Sequence, residues 1–168
     1  RGAIRLFAAV PTRVGNQLYC DWKSSQADET GKLMQQPESQ AERPRRIGFM
    51  LVPGFSQIAL SAAVEPLRMA NHLATRALFD WVLISHTGAS ARASNGLVTA
   101  ADYSMEETPS LDWLFVCSAA ACPTPVDPAI RSWLQDLDRA GTGLGGIGTA
   151  PMILARAGLL AGHRWAMD

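Results

Sequence analysis

Residues Gly143-Leu-Gly-Gly-Ile-Gly-Thr-Ala-Pro-Met-Ile-Leu-Ala-Arg-Ala-Gly-Leu-Leu-Ala-Gly162 decide how the fold of this chain is interpreted. The glycine-rich part, 143–147, predicts a strand, and 149–159 predicts a helix with glycines near its end. A sharp strand-to-helix turn is therefore expected at Gly148. Many hydrolases present a serine or cysteine nucleophile at such a turn, beside backbone amides that form an oxyanion hole. The side chain at this tip is a hydrogen atom, so no nucleophile is available there.

Upstream of this turn, short apolar runs alternate with helical patterns. Residues 57–73 carry apolar groups at helical spacing, and Asp127 is placed to cap a helix that runs to about Arg139. Buried parallel strands are predicted for the apolar runs Ile47–Val52, Phe79–Ser85 and Leu111–Cys117. This alternation predicts an α/β fold with a doubly wound, flavodoxin-like parallel sheet.

The sequence also predicts a tight turn and the edge of the sheet at which a ligand would bind. Asn95-Gly96 marks a turn with short strand-like stretches on either side. Ligands of doubly wound sheets bind at the carboxyl ends of the strands. We therefore expect a site around Pro53-Gly54, Cys117-Ser118-Ala119 and Gly148-Thr149.

The composition suits one folded domain with a polar tail. Of the 168 residues, 48% are hydrophobic and 18% are charged, and the formal net charge is zero. Such a chain can bury a core, but it has no general attraction for a phosphate backbone. Residues 24–44 are polar and lack an apolar period, so we expect an N-terminal extension and linker over 1–44 and the domain over 45–168. The role of 1–22 stays open, and the ends of the sequence suggest a piece of a longer protein.

Cysteine and histidine usage gives no sign of a metal or cofactor. Cys20, Cys117 and Cys122 are odd in number and lack metal-ligand spacing, and Cys117 is expected to be a reduced core thiol. The three histidines likewise show no metal spacing; they are His72, His86 and His163. No run approaches the roughly 18 apolar residues of a membrane span, so a cytoplasmic protein is expected.

Residues 145–162 resemble the elbow region of the PfpI-like superfamily. They are most similar to the sensor domains of the GlxA branch of AraC-type transcription regulators. In that branch a glycine-rich strand precedes a helix that ends in Leu-Ala-x-Ala-Gly-Leu-Leu-x-Gly, a pattern that 152–162 match nearly position for position. Residues Ile47–Ser56 agree with the same branch. The run Ala63–Asn71 is similar to sensors for betaine, carnitine and related quaternary amines.

The resemblance covers about residues 45–168 and carries several implications. It implies a PfpI-type ligand-sensing domain that forms homodimers and is truncated before its C-terminal strands. It also implies that a helix-turn-helix DNA-binding domain lies outside this chain. Catalytic relatives carry Cys where Gly148 stands and Glu where Ala59 stands, so both members of the acid–thiol pair are absent. A non-catalytic sensor is therefore expected. The alternatives are a PfpI-type hydrolase, amidase or deglycase, and a dimerisation module without a ligand.

We expect the effector to contact residues from the strand ends and from the first helix, namely Gly54, Glu65, Ser118, Ala119, Gly148 and Thr149. The amides at 148–149 favour a carboxylate, and the missing thiol is expected to leave room for it. Thr149 either caps the helix or contacts the ligand, and Glu65 either pairs with Arg68 or faces the pocket.

Two other kinds of site are disfavoured by the sequence. A dinucleotide site at 143–148 is disfavoured because the glycines lie within the strand as well as after it. Trp81, Trp113 and Trp133 fall in core-like patterns. They are therefore expected to pack rather than to form an aromatic cage for a quaternary ammonium group.

Overall fold

The structure, a computed structural model, describes residues 43–119 and 126–162. The helices in these ranges are α1 (Gln57–Ala74), α2 (Pro128–Arg139) and α3 (Pro151–Arg156). The strands are β1 (Arg45–Leu51), β2 (Phe79–Ser85), β3 (Ala91–Arg92), β4 (Val98–Thr99), β5 (Tyr103–Ser104), β6 (Trp113–Ser118) and β7 (Gly143–Gly148). Most of the predicted linker lies outside the described residues, as do Cys20, Cys122 and His163.

Five parallel strands form the main sheet in the order β5-β2-β1-β6-β7. Strand β1 is central, and Phe49 in its middle lies between Leu83 of β2 and Phe115 of β6. The chain adds β2 on one side of β1 and then β6 on the other, so the winding direction reverses between β1 and β6. The predicted doubly wound parallel sheet is confirmed. The predicted turn at Asn95-Gly96 joins β3 and β4, which pair as a small antiparallel hairpin.

Each face of the sheet carries its own hydrophobic core. Phe49 and Leu51 point toward α1, where Leu60 is buried with them. Met50 and Val52 point to the other face and pack in one cluster with Leu134 of α2 and with residues of α3. Side chains of a strand alternate between faces. A strand covered on both faces must therefore be apolar throughout, as residues 47–52 are.

Close packing explains why β7 is rich in glycine. A Cβ at Gly143 would lie 2.4 Å from Trp113 Cε3, and a Cβ at Gly145 would lie 2.6 Å from Phe115 Cδ1. On the opposite face, a Cβ at Gly146 would lie 2.8 Å from the Pro151 nitrogen. The glycines thus let β7 lie beneath two aromatic rings and against the start of α3. This packing role explains the glycine-rich run of β7, so no phosphate-binding role is needed to explain it.

The three tryptophans in the described ranges have packing contacts, as predicted. Trp81 packs against the core that contains Phe49, and Trp133 packs against the other core. Trp113 is 37% exposed and stacks on Phe115, with the ring centroids 6.3 Å apart.

The helix ends follow local chemistry. Asp127 caps α2 as predicted, since its carboxylate accepts the Ala129 N–H at 2.8 Å. Helix α3 is shorter than the predicted span 149–159, because it begins only at Pro151 and ends at Arg156. Proline favours the first turn of a helix, and the positive φ of +79° at Gly158 ends the helical path.

None of the helices in the described ranges has both the length and the apolar character needed to cross a bilayer.

Asp112, which directly precedes β6, bonds to residues at the start of β1 at the amino edge of the sheet. Its carboxylate accepts two hydrogen bonds from Arg43, at 2.8 and 3.0 Å, and one from the Arg46 backbone N–H at 2.8 Å. The Arg43 hydrogen bond is the main cause of a lowered pKa for Asp112, and the Arg46 amide adds to it. Arg43 belongs to the predicted linker, yet it is held against the domain at this point.

Candidate functional site

The ends of β1, β6 and β7 meet at the carboxyl edge of the sheet. The Val52 N–H donates to the Cys117 carbonyl at 3.0 Å, which joins the end of β1 to β6. Ser118, the last residue of β6, is in register with Gly148, the last residue of β7. The winding direction reverses between β1 and β6, which is where ligands of doubly wound sheets bind. The fold therefore brings four of the six predicted site residues to one place: Ser118, Ala119, Gly148 and Thr149.

Gly148 forms a turn that has no room for a side chain. Its φ is +68°, a conformation that strains every residue except glycine. A Cβ at this position would collide with the Ser118 carbonyl oxygen of the neighbouring strand end. The expectation that a missing thiol leaves space here is therefore wrong, because backbone already fills the position. The turn cannot accept a cysteine unless the β6 end moves.

Thr149 joins the two strand ends through its hydroxyl group. The Thr149 Oγ1 donates to the Ala119 carbonyl and lies 3.2 Å from the Ser118 hydroxyl. Thr149 does not cap α3, whose N-cap is Ala150 without a side-chain bond. Of the two predicted roles, the cap is therefore wrong. Ser118 is only 2% exposed, so it supports Thr149 from beneath, whereas Gly148 is exposed at the surface.

The other two predicted site residues are engaged elsewhere. Gly54 is in the β1–α1 turn, and its N–H donates to the Arg92 carbonyl of the hairpin at 2.8 Å, so the amide is already bonded. Glu65 lies on the exposed side of α1, and its carboxylate accepts from Arg68 at 2.8 Å. Of the two alternatives for Glu65, the structure has the ion pair with Arg68.

The run Ala63–Asn71, which carries the likeness to quaternary-amine sensors, lies on α1 and not at the carboxyl edge. Asn71 has a structural role that the sequence analysis missed. Its Oδ1 accepts the N–H groups of Leu78 and Phe79 at 2.8 and 2.9 Å, and its Nδ2 donates to the Phe79 carbonyl at 2.8 Å. Asn71 therefore fixes α1 to the start of β2.

Cys117 is the thiol nearest to the elbow in the described ranges, and it is buried as predicted. Burial raises its pKa to about 12, which keeps it protonated at neutral pH. Ala59, which stands where catalytic relatives have Glu, lies in the first turn of α1 and offers only its N–H, bonded to the Ser56 hydroxyl at 3.4 Å. Neither position supplies an acid or a thiolate.

One polar pair at the same edge escaped the sequence analysis. His86 follows β2, and its Nδ1 lies 3.9 Å from the carboxylate of Asp127, the residue that caps α2. Both side chains are about half exposed. The two are 41 positions apart in the chain, so only the sheet order brings them together.

A shallow cavity of about 280 Å³ lies at the opposite, amino edge of the sheet. It is lined by Arg43, Pro44, Arg46, Ala77, Phe79, Asp80 and Ser110. The charged groups that line it form ion pairs. Arg46 pairs with Asp80, another lining residue, at 2.9 Å, and Arg43 pairs with Asp112, which does not line the cavity. Because these charges are paired, they leave little net charge to attract a ligand, so we retain the carboxyl edge as the candidate site.

Over residues 43–119 and 126–162, no group of three His, Cys, Asp or Glu side chains is arranged as metal ligands would be.

The chain is similar to known transcription regulators. It is 43% identical to the HTH-type transcriptional regulator CdhR of Pseudomonas aeruginosa over 116 residues, which are 69% of this chain and 34% of that protein. It is 40% identical to the regulator GbdR of the same species, over 74% of this chain and 34% of the relative. The chain thus spans about a third of the length of these relatives. No family model matches the sequence.

Solved structures give the same classification. An AraC family transcriptional regulator from Pseudomonas putida superposes with a TM-score of 0.66 and 30% identity, over 71% of this chain and 64% of that one. A ThiJ/PfpI domain protein from Brachyspira murdochii has a TM-score of 0.53 at 18% identity, over 69% and 65% of the two chains, and shows the fold alone. The chain therefore has the fold of a ThiJ/PfpI domain. In sequence it is similar to HTH-type and AraC family transcription regulators over the part that they share.

Proposed function

We propose that this chain is the effector-sensing domain of a transcription regulator and that it has no catalytic activity. One observation carries the proposal: the elbow of a PfpI-like fold is filled by backbone at the position of the nucleophile. The identity to HTH-type regulators supports the regulatory role. In this proposal the domain acts as a homodimer, and DNA is bound by a helix-turn-helix domain outside this chain.

The proposed effector site lies at the carboxyl edge, between the ends of β1, β6 and β7. Gly148, Thr149 and Ala119 provide the contact surface, and Ser118 positions Thr149 from beneath. In this proposal the backbone N–H groups of Gly148 and Thr149 donate to a carboxylate of the effector. Because α3 has only six residues, we assign no part of the affinity to its dipole. Betaine and carnitine, each of which has a carboxylate and a quaternary amine, are the proposed class of effector.

The site is tested by titration calorimetry of the chain with betaine and with carnitine. Thr149→Val removes the hydroxyl that joins the two strand ends, so affinity for the amine that binds should fall by about fivefold to tenfold. Thr142→Val is the matched control. Its hydroxyl bonds the Leu111 carbonyl at the other end of β7, and affinity should not change.

Equal affinities for the wild type and Thr149→Val would place the binding site elsewhere. An absence of heat with both amines would refute the proposed class of effector.

A further inference from the structure

Gln135 connects helix α2 to the end of α3 by one hydrogen bond. Its Nε2 donates to the Ala157 carbonyl at 2.8 Å, and the bond is partly buried between the two helices. Ala157 is the C-cap of α3, and the last carbonyls of an α-helix have no partner within the helix. Gln135 therefore supplies a partner for a carbonyl at the helix end, across 22 positions of the chain.

Helix α2 is held in the domain at several points along its length. Asp127 caps its start, and Leu134, the residue before Gln135, is fully buried in the core. Just beyond its end, the Thr142 N–H donates to the Leu137 carbonyl at 3.0 Å. The place of the Gln135 amide is therefore set by α2, and the bond fixes α3 relative to it.

Helix α3 follows the elbow almost directly. Only two residues lie between Gly148, the last residue of β7, and Pro151, the first residue of α3. Ile153 and Leu154 are buried in the core, but apolar packing is not directional and does not by itself fix how far a short helix lies along its axis. The hydrogen bond to Ala157, by contrast, has a defined length and direction.

We propose that Gln135 is a positioning residue of the effector site, which fixes the elbow turn at Gly148 and Thr149 by holding the far end of α3. This inference rests on the proposed function, because that function places the effector at the elbow. The six residues of α3 span about 9 Å, so a shift at Ala157 reaches Thr149 through one short, nearly rigid element.

The bond acts on affinity through the population of the binding-competent turn. Without it, α3 and the elbow sample more than one position, and the apparent affinity falls by the fraction of molecules that hold the competent one. Gln135 itself makes no contact with the effector in this proposal.

Gln135→Met tests the bond, because methionine is also long and unbranched but has no N–H group to donate. In the full 168-residue chain, hydrogen exchange of the amides of 148–157 should rise at least threefold more than that of 47–52. Residues 47–52 belong to the central strand, which exchanges mainly when the whole domain opens. A general loss of stability would raise exchange in both segments alike, so the difference between them reports the elbow.

Two further variants serve as controls for the exchange experiment. Gln135→Lys keeps a donor on a flexible side chain, and lysine can bond the last carbonyls of a helix, so exchange of 148–157 should return to within about twofold of the wild type. Arg131→Met places the same methionine at an exposed position one turn earlier on α2, and it should leave both segments unchanged.

Calorimetry with betaine and with carnitine tests the connection to the effector site. Affinity for the amine that binds should fall about threefold to tenfold in Gln135→Met and should recover in Gln135→Lys. Equal increases of exchange in the two segments, or an affinity that Gln135→Met leaves unchanged, would overturn the inference. If neither amine binds the wild type, the proposed class of effector fails, and the exchange rates of 148–157 still decide whether Gln135 fixes the elbow.

Discussion

Replacement of Gly148 by alanine or by cysteine should destabilise the domain by about 2–5 kcal/mol. A non-glycine residue in the left-handed region costs about 1–2 kcal/mol. The Cβ would also collide with the Ser118 carbonyl oxygen, and a forced shift of packed backbone adds about 1–3 kcal/mol. The loss is measured by urea denaturation. The cysteine variant should gain no turnover, because its sulfur cannot be placed without displacing the end of β6.

Gly141→Ala separates these two causes. Gly141 has φ +86°, and a Cβ there would meet no heavy atom within 4 Å, so this variant carries the backbone strain alone. If Gly148→Ala and Gly141→Ala lose the same stability, the close approach of Ser118 to Gly148 is not real.

Asn71→Ala should lower the free energy of unfolding by about 2–4 kcal/mol. The change leaves two backbone N–H groups and one carbonyl at the α1–β2 junction without their partner, and each unsatisfied group costs about 1–3 kcal/mol when fully buried. Partial exposure to water reduces that sum. Denaturation by urea measures the loss, and Asn71→Asp, which keeps the accepting oxygen, should lose less.

His72→Ala, at the next and exposed position, is the control and should change stability by no more than about 0.5 kcal/mol. If Asn71→Ala matches this control in stability but loses affinity for an amine, Asn71 acts on the ligand. In that case the likeness of Ala63–Asn71 to quaternary-amine sensors would reflect direct contacts.

The sequence predicts those parts of the fold that depend on local pattern. The bounds of β2, Phe79–Ser85, agree with the apolar run, and Asp127 caps α2 because capping needs only a neighbouring carboxylate. Strand β5 has two residues and pairs with β2, and so short a strand gives no periodic signal. The ion pair of Glu65 with Arg68 is local, at a spacing of three residues, and was among the predicted alternatives.

Long-range contacts explain where the prediction of the site fails. Thr149 donates to the carbonyl of Ala119, which is 30 positions away, so nothing near Thr149 in sequence distinguishes this bond from a helix cap. The space at Gly148 is likewise filled by a carbonyl from the neighbouring strand. Both contacts exist only because β6 and β7 end in register. The sequence places Ser118, Ala119, Gly148 and Thr149 at the strand ends but cannot show how tightly these ends pack.

A turnover assay of the purified chain tests whether this domain senses an effector without catalysing a reaction. The substrates are a panel of amides and esters together with methylglyoxal, which cover the reactions of the enzymatic alternative. We expect rates equal to the uncatalysed background, because Gly148 carries no nucleophile and the Cys117 thiol stays protonated at neutral pH. Turnover above background that is abolished by Cys117→Ala or Cys122→Ala would make that thiol the nucleophile and the domain an enzyme. Turnover that survives both changes would also make the domain an enzyme, with another group performing the chemistry.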